Sequence, residues 1–420
     1  MLNFNISSKL EGYAARQLHL MLEIYFSDDV DILFVTKNNI SGLKIKLKDQ
    51  EDILIETNFL ELCSDFLTLR RESTLPKDSL GRVNFSKEQA DEISSPLLDN
   101  EVIKLRILVE EFLCSNDVNY SKLSFIDEPS VCLSHDVDSL KSNSIFRFLY
   151  NIFKSTINLN FSSLHNFLKK RSTYVNTHGD LKRFVEIEDK FSFRSTYFFL
   201  SLPFFLGREG RRYTVNSRKI RKHIRFLIDN KFELGLHMSR KGFSKIKLGK
   251  REIERLEKAS GGASVTGVRN HYLKGDFPKI WNLYENLFEY DSSLGSSEYI
   301  VYRSGTSNPF QPFDYNLNRE LEILEVPLIV MDGAIIGNCE EIFNQVKKHI
   351  DIAFENKSLI TILWHTDRIL PDEFTEYSRA YEKILDYLFQ LDFSSITINE
   401  AAIRYKDYKQ RMESNLNLSL

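Results

Sequence analysis

From about residue 126 onward, short apolar runs alternate with longer stretches whose apolar residues recur at helical spacing. The runs are SVCLSHDVD (130–138), STYFFLS (195–201), FELGLHMS (232–239), SVTGVRNHYL (264–273), LEVPLIVMD (324–332), LITILWHT (359–366) and SSITINE (394–400). Their length, β-branched and aromatic content and near-continuous apolarity predict strands buried on both faces. The stretches 181–190, 217–230 and 277–288 predict helices between them. Strand and helix alternating in this way predict a parallel sheet, and the length fits a distorted (β/α) barrel over residues 126–420. The first 125 residues follow a different rhythm. Helical spacing covers 10–25, 58–69 and 102–113, DILFVT (31–36) reads as a short strand, and PKDSLGR (76–82) is a turn-rich loop. This part predicts a smaller accessory α/β domain, residues 1–125, and groups no His, Cys or paired carboxylates in a catalytic way.

Composition narrows the class. With 420 residues, 42% apolar, 27% charged and 12% aromatic, the chain is globular rather than disordered or fibrous. The most apolar run, 195–207 (STYFFLSLPFFLG), is too short for a spanning helix and contains a proline. The start, MLNFNISSKLEGY, lacks the basic and apolar regions of a signal peptide, so a cytoplasmic location is expected. Cys63, Cys114, Cys132 and Cys339 form no C-x-x-C pair and are expected to be buried thiols.

Charge is unevenly placed. Residues 1–125 hold 14 Lys/Arg against 21 Asp/Glu, whereas residues 139–255 hold 26 against 9. Within that block, residues 139–179 contain six basic residues and no acid. The segments 139–179, 208–225 and 240–255 each follow a predicted strand end. They suggest a positive face for an anionic or lipid-linked glycan, with peripheral membrane contact aided by Phe146, Phe148, Leu149, Tyr150, Ile152 and Phe153, at the inner face of the membrane. A solvated surface, or a helical hairpin packed on the barrel, is the alternative. Nucleic acid fits poorly, because no recognition module is present and the chain is slightly acidic overall.

The chemistry-bearing residues sit where a barrel places its working groups. His135, Asp136 and Asp138 end the first strand, His237 the third, and His365 a late one, while Arg269 and His271 follow within the fourth. Carboxylate oxygen and neutral imidazole together suit Zn²⁺ or another divalent ion, and a neighbouring carboxylate and imidazole suit general base and acid. Taken singly, a strand-end histidine is more often a packing residue and an aspartate there a cap.

Six elements, SHDVD, STYFFLS, GLHMS, GVRNHY, YDSSLG and LWH, stand in the order of the motifs of the NodB-like polysaccharide deacetylases, the carbohydrate esterase family 4 group. The chain resembles the D-x-D branch of that family over about residues 126–405, and FLELCSDFLTLRRES with PKDSLGR resembles the N-terminal domain that accompanies it. The resemblance implies a barrel of the polysaccharide deacetylase type. It further implies Asp136 as general base, Asp138 and His237 as metal ligands, Arg269 as the residue orienting the base, His365 as acid and Asp291 as the carboxylate tuning His365. The family's second metal histidine falls on Lys241, whose ammonium cannot ligate. His271 is the natural substitute, with a substrate contact or a packing role as alternatives. His135 is poorer, since two-residue alternation turns it away from Asp136 and Asp138. The expected activity is removal of an N-acetyl group from a sugar in bacterial surface polysaccharide (lipopolysaccharide or capsule) biosynthesis. A hydrolase of a non-sugar C–N bond and an inactive glycan- or partner-binding relative are the alternatives.

Overall fold

The computed structural model describes residues 9–26, 30–37, 40–47, 53–138, 181–203, 206, 213–369 and 375–415. The acid-free basic segment at 139–179, with Phe146 and its apolar neighbours, and residues 208–212 of the second basic segment lie outside the described residues.

The N-terminal part carries the strands β1 (Ile24–Phe26), β2 (Val30–Lys37), β3 (Ile40–Leu47), β4 (Ile53–Glu56) and β5 (Tyr120–Lys122). β2, β3 and β4 form an antiparallel sheet, and β1 pairs with β5. The helices Lys9–Leu22, Phe59–Phe66 and Leu97–Ser115 sit close to their predicted positions.

Beyond residue 126 come β6 (Ser130–Val137), β7 (Ser195–Leu200), β8 (Glu233–Met238), β9 (Gly267–Asn270) and β10 (Tyr290–Asp291). A small hairpin, β11 (Phe313–Asp314) with β12 (Arg319–Glu320), precedes β13 (Leu324–Glu325), β14 (Val330–Met331), β15 (Leu359–Leu363) and β16 (Ser394–Ser395). The large sheet runs β13-β10-β9-β8-β7-β6-β15-β14, parallel throughout, with β16 beside β6. Four residues separate β13 from β14, so the two ends of that order belong to one continuous segment. Val326 donates to Asp291 O on one side and Ile329 to Thr361 O on the other. The sheet therefore closes into an irregular barrel, as the alternation predicted.

Three expectations change in detail. The run 324–332 is not one strand, because Pro327 interrupts it and the chain crosses there from β10 to β15. The run 394–400 pairs only at Ser394–Ser395 before the helix Ile398–Asn415 begins. Thr397 and Glu400 cap that helix reciprocally, an S/T-x-x-E signal that outweighs β propensity. The cysteines also divide: Cys63 and Cys132 are buried, Cys114 is exposed and Cys339 half-buried.

The barrel interior is filled rather than hollow. Phe198 lies inside, opposite Gly235, where a Cβ would stand 2.5 Å from its ring. The helix Ile398–Asn415 covers the end at which the strands begin, with Ile398, Ala401 and Tyr405 in the same apolar cluster as Cys132 and Phe198. Apolar contacts also run continuously from Tyr13, Phe59 and Leu98 of the N-terminal part into the barrel helices. A buried ion pair, Glu72 with Arg303, joins the two parts at 2.9 Å. Among the described residues, no helix is long and apolar enough to cross a membrane.

Candidate metal centre and active site

Side chains from three strand ends meet at one point. Asp136 lies near the end of β6 and Asp138 just beyond it, two residues apart and so on one side of the strand. His237 is the penultimate residue of β8, and His271 opens a 3₁₀ turn (His271–Leu273) directly after β9. Asp138 Oδ1 lies 3.3 Å from His237 Nε2 and 3.2 Å from His271 Nε2. One ligand atom from each of the three falls within 4.8 Å of the others. Tetrahedral bonds of about 2.05 Å imply donor–donor edges of about 3.3–3.4 Å, which the two Asp–His distances match. His237 Nδ1 faces Arg269 O at 3.0 Å, which aims Nε2 at the point that a cation would occupy. The donor set fits a divalent ion such as Zn²⁺.

Burial alone would push the Asp138 carboxyl up. Hydrogen bonds and charge from His237 and His271 outweigh it and hold the group well below the usual carboxylate range.

Asp136 is nearly fully buried and lies beside the cluster, its Oδ2 3.6 Å from His237 Nε2. Arg269, on β9, has no exposed surface and reaches across the barrel interior to it. Its Nη1 donates to Asp136 Oδ1 at 3.3 Å and to Ser134 Oγ at 2.8 Å. Nε and Nη2 donate to Ser292 O and Oγ, both at 2.9 Å, and the guanidinium lies 4.4 Å from the Phe198 ring centroid. A cation clamped at so many points keeps the Asp136 carboxyl in place.

His365 follows β15 and is held by Asp332, not by Asp291. Its Nδ1 pairs with Asp332 Oδ1 at 2.6 Å, and its backbone N–H donates to Asp332 Oδ2 at 2.9 Å. Burial would lower the imidazole, but the Asp332 carboxylate, with Asp136 and Asp138 beyond it, raises it to about 10. Asp291 sits at the end of β10 among different partners. Ser293 Oγ donates to it at 2.5 Å, and burial pushes its carboxyl up to about 7. The neighbouring buried Glu325, which accepts from Trp281 Nε1 at 2.7 Å, is pushed well above its ordinary value. Asp291 and Glu325 thus form a buried acid pair behind the site. The sequence contained the signal for Asp332, since it ends the predicted strand 324–332 as the other site residues end theirs.

His135 turns outward, as alternation predicted, and is fully buried between Trp364 O and Glu188 Oε1, each at 2.7 Å. Lys241 is exposed on the short helix Arg240–Ser244. The His271 turn contains two residues in the left-handed region, Tyr272 (φ 63°) and Leu273 (φ 50°). Such conformations persist where surroundings enforce them. Here the N-terminal loop does so. Gly275 N–H donates to Leu80 O at 3.1 Å, Lys77 pairs with Asp276, and Arg82 Nη1 donates to Ser297 Oγ at 3.0 Å and to Tyr272 O at 3.4 Å.

No family model and no curated protein matches the chain. Solved structures do. A candidate polysaccharide deacetylase from Mycobacterium smegmatis is 15% identical, with a TM-score of 0.46 over 68% of this chain and 92% of that one. Puue allantoinase is 11% identical, with a TM-score of 0.44 over 66% and 90%. A probable polysaccharide deacetylase from Pseudomonas aeruginosa PAO1 is 12% identical, with a TM-score of 0.44 over 66% and 91%. At that degree of likeness the chemistry has to be argued from the side chains themselves.

Proposed function

We propose that this chain is a metal-dependent hydrolase of the polysaccharide deacetylase type, removing an N-acetyl group from a sugar during assembly of a bacterial surface polysaccharide. The observation that carries the reading is the convergence of Asp138, His237 and His271, with Asp136 clamped by Arg269 beside them and the His365–Asp332 pair close by. The motif order resembles the same family.

In this reading Asp138, His237 and His271 hold the cation. A bound Zn²⁺ or similar ion supplies Lewis acidity, which polarises an amide carbonyl and acidifies a water. Asp136 takes the proton from the attacking water, and Arg269 keeps that carboxylate aimed. His365, protonated across the neutral range, donates to the departing sugar nitrogen, and Asp332 fixes its orientation. Acetate and a free amino sugar result.

Purified protein should contain about one equivalent of zinc or another divalent metal. It should release acetate from N-acetylated glycans, and chelation should stop the release until metal is returned. Asp136→Asn should keep the metal and lose about 10²–10⁴-fold in turnover. Metal-free protein that stays metal-free when offered zinc, or full activity in the Asp136 variant, would refute the reading.

A further inference from the structure

Opposite the candidate metal centre, where the strands of the barrel begin, the structure contains a second cavity of about 480 Å³. The helices Lys9–Leu22 and Leu97–Ser115, the linker after β5, the loop before β11, the segment leading into β15 and the helix Ile398–Asn415 enclose it. Ser130 to Asp136 along β6 separates the two sites by about 20 Å. This volume falls within the ~300–1,000 Å³ of small-molecule sites.

Its walls hold polar atoms that the fold leaves unsatisfied. Gln17 is 1% exposed and its Nε2 has no hydrogen-bond partner, and Asp99 is 6% exposed with Oδ1 likewise unpaired. The other oxygen, Asp99 Oδ2, accepts from Ser307 N–H at 3.2 Å. Arg106 Nε is a third buried atom without a partner. Leaving such groups dry costs about 1–3 kcal/mol each, so something must meet them. Burial pushes the Asp99 carboxyl up to about 7, against the Thr306 hydroxyl and Ser307 N–H that hydrogen-bond it.

Charge and shape then restrict what does. Arg106 is already neutralised by Glu23 at 2.9 Å, and its Nη2 donates to Met21 O at 2.7 Å. A carboxylate faces the same space, which disfavours an anion. Among the described residues lining it, the atoms without a partner are two donors and one acceptor, so the occupant must both accept and donate, as a hydroxyl does. Phe125, Tyr405 and Tyr408 add aromatic surface to the lining, with Phe125 and Tyr405 edge to face at 5.8 Å. Waters could meet three polar atoms, but a cavity this large with aromatic walls leaves most of them poorly bonded.

We propose that this cavity is a non-catalytic binding site for a neutral polyhydroxylated molecule of sugar size, with a hydroxyl donating to Asp99 and oxygens accepting from Gln17 and Arg106.

Titration calorimetry on the full chain with glucose, galactose and maltose tests this. None carries an acetamide, so the site can be read whether or not the chain proves to be a deacetylase. The expected result is saturable binding of at least one sugar. It should weaken about tenfold in D99N, which replaces the free acceptor by an NH₂, and in Q17L, and stay unchanged in D138A, which disables the metal cluster. Thermal unfolding checks that each variant is folded. A crystal soaked with the best-bound sugar should show it in this cavity. The proposal is overturned if none of the three binds at tens of millimolar, if folded D99N and Q17L both bind as the wild type does, or if the soaked cavity holds ordered water alone.

Discussion

Asp138 carries a negative charge into a largely buried corner, where the His237 and His271 imidazoles face it. A divalent ion held by the three side chains would supply counter-charge to that carboxylate directly. Replacing Asp138 or His271 by alanine should lower zinc affinity by about 100-fold or more, measured by competition with a chelating dye. His271→Ala also separates the open readings of that residue, because a substrate contact or a packing role would leave metal content intact. His365 invites a different measurement. Its pKa in the folded chain, about 10, lies above the ordinary value near 6.5. Its protonated pairing with Asp332 therefore adds stability that is complete below about pH 6.5 and disappears as the pH rises through about 10. Asp332→Asn should bring the His365 titration, followed by NMR in metal-free protein, down toward 6.5. A cation in the cluster should also lower it, since positive charge opposes protonation. No movement on Asp332→Asn would mean that Asp332 is not what keeps the imidazole charged.

At the scale of elements, β6, β7, β8 and β15 could be read from the sequence because each is long enough for its apolar run to stand out against helical neighbours. Their ends carried Asp136, Asp138, His237 and His365 with them. β10, β13 and β14 have two residues each, too few for any period, and they are set by their neighbours' hydrogen bonds rather than by their own composition. Asp332 ends a run that the sequence showed, but the motif order pointed to Asp291, at the end of β10, and only the closed barrel brings Asp332 to His365. The partners of Arg269 were hidden for a related reason, since Ser134 and Ser292 lie 135 and 23 residues away. Glycine placement offers a test of this closure. A Cβ on Gly267, in β9, would stand 1.8 Å from Tyr290 Cζ, and that ring is fully buried. Gly267→Ala should destabilise by about 1–3 kcal/mol or more in denaturant titration, whereas Gly262→Ser, with open space at the same position, should be governed by its backbone alone. A neutral Gly267→Ala would contradict the close approach of β9 and β10.

For the molecule as a whole, the division at residue 125 into an accessory domain and a barrel is a proposal, and the contacts across it are intimate. Glu72 and Arg303 form a buried bidentate pair, with Arg303 also donating to Gly295 O at 3.0 Å. Removing one partner strands the other charge. Glu72→Ala or Arg303→Ala should each cost about 3–5 kcal/mol, and the Glu72→Leu/Arg303→Met double substitution much less than the two together. A barrel expressed from residue 126 should be poorly soluble, because it would bare the apolar surface that Tyr13, Phe59 and Leu98 cover. A monomeric, cooperatively unfolding fragment would show that the barrel stands alone.

The prop beneath the His271 turn has a practical corollary for anyone mapping this chain by mutagenesis. Gly81 adopts φ +81°, and a methyl added there would crowd Gly275 O at 3.1 Å, tilting the turn that presents His271. A screen scored on product alone would thus rank Gly81 and Arg82 with the reactive residues, although neither belongs to that cluster and they lie about 190 positions upstream of it. Scoring cation uptake alongside turnover would reveal them as distant supports.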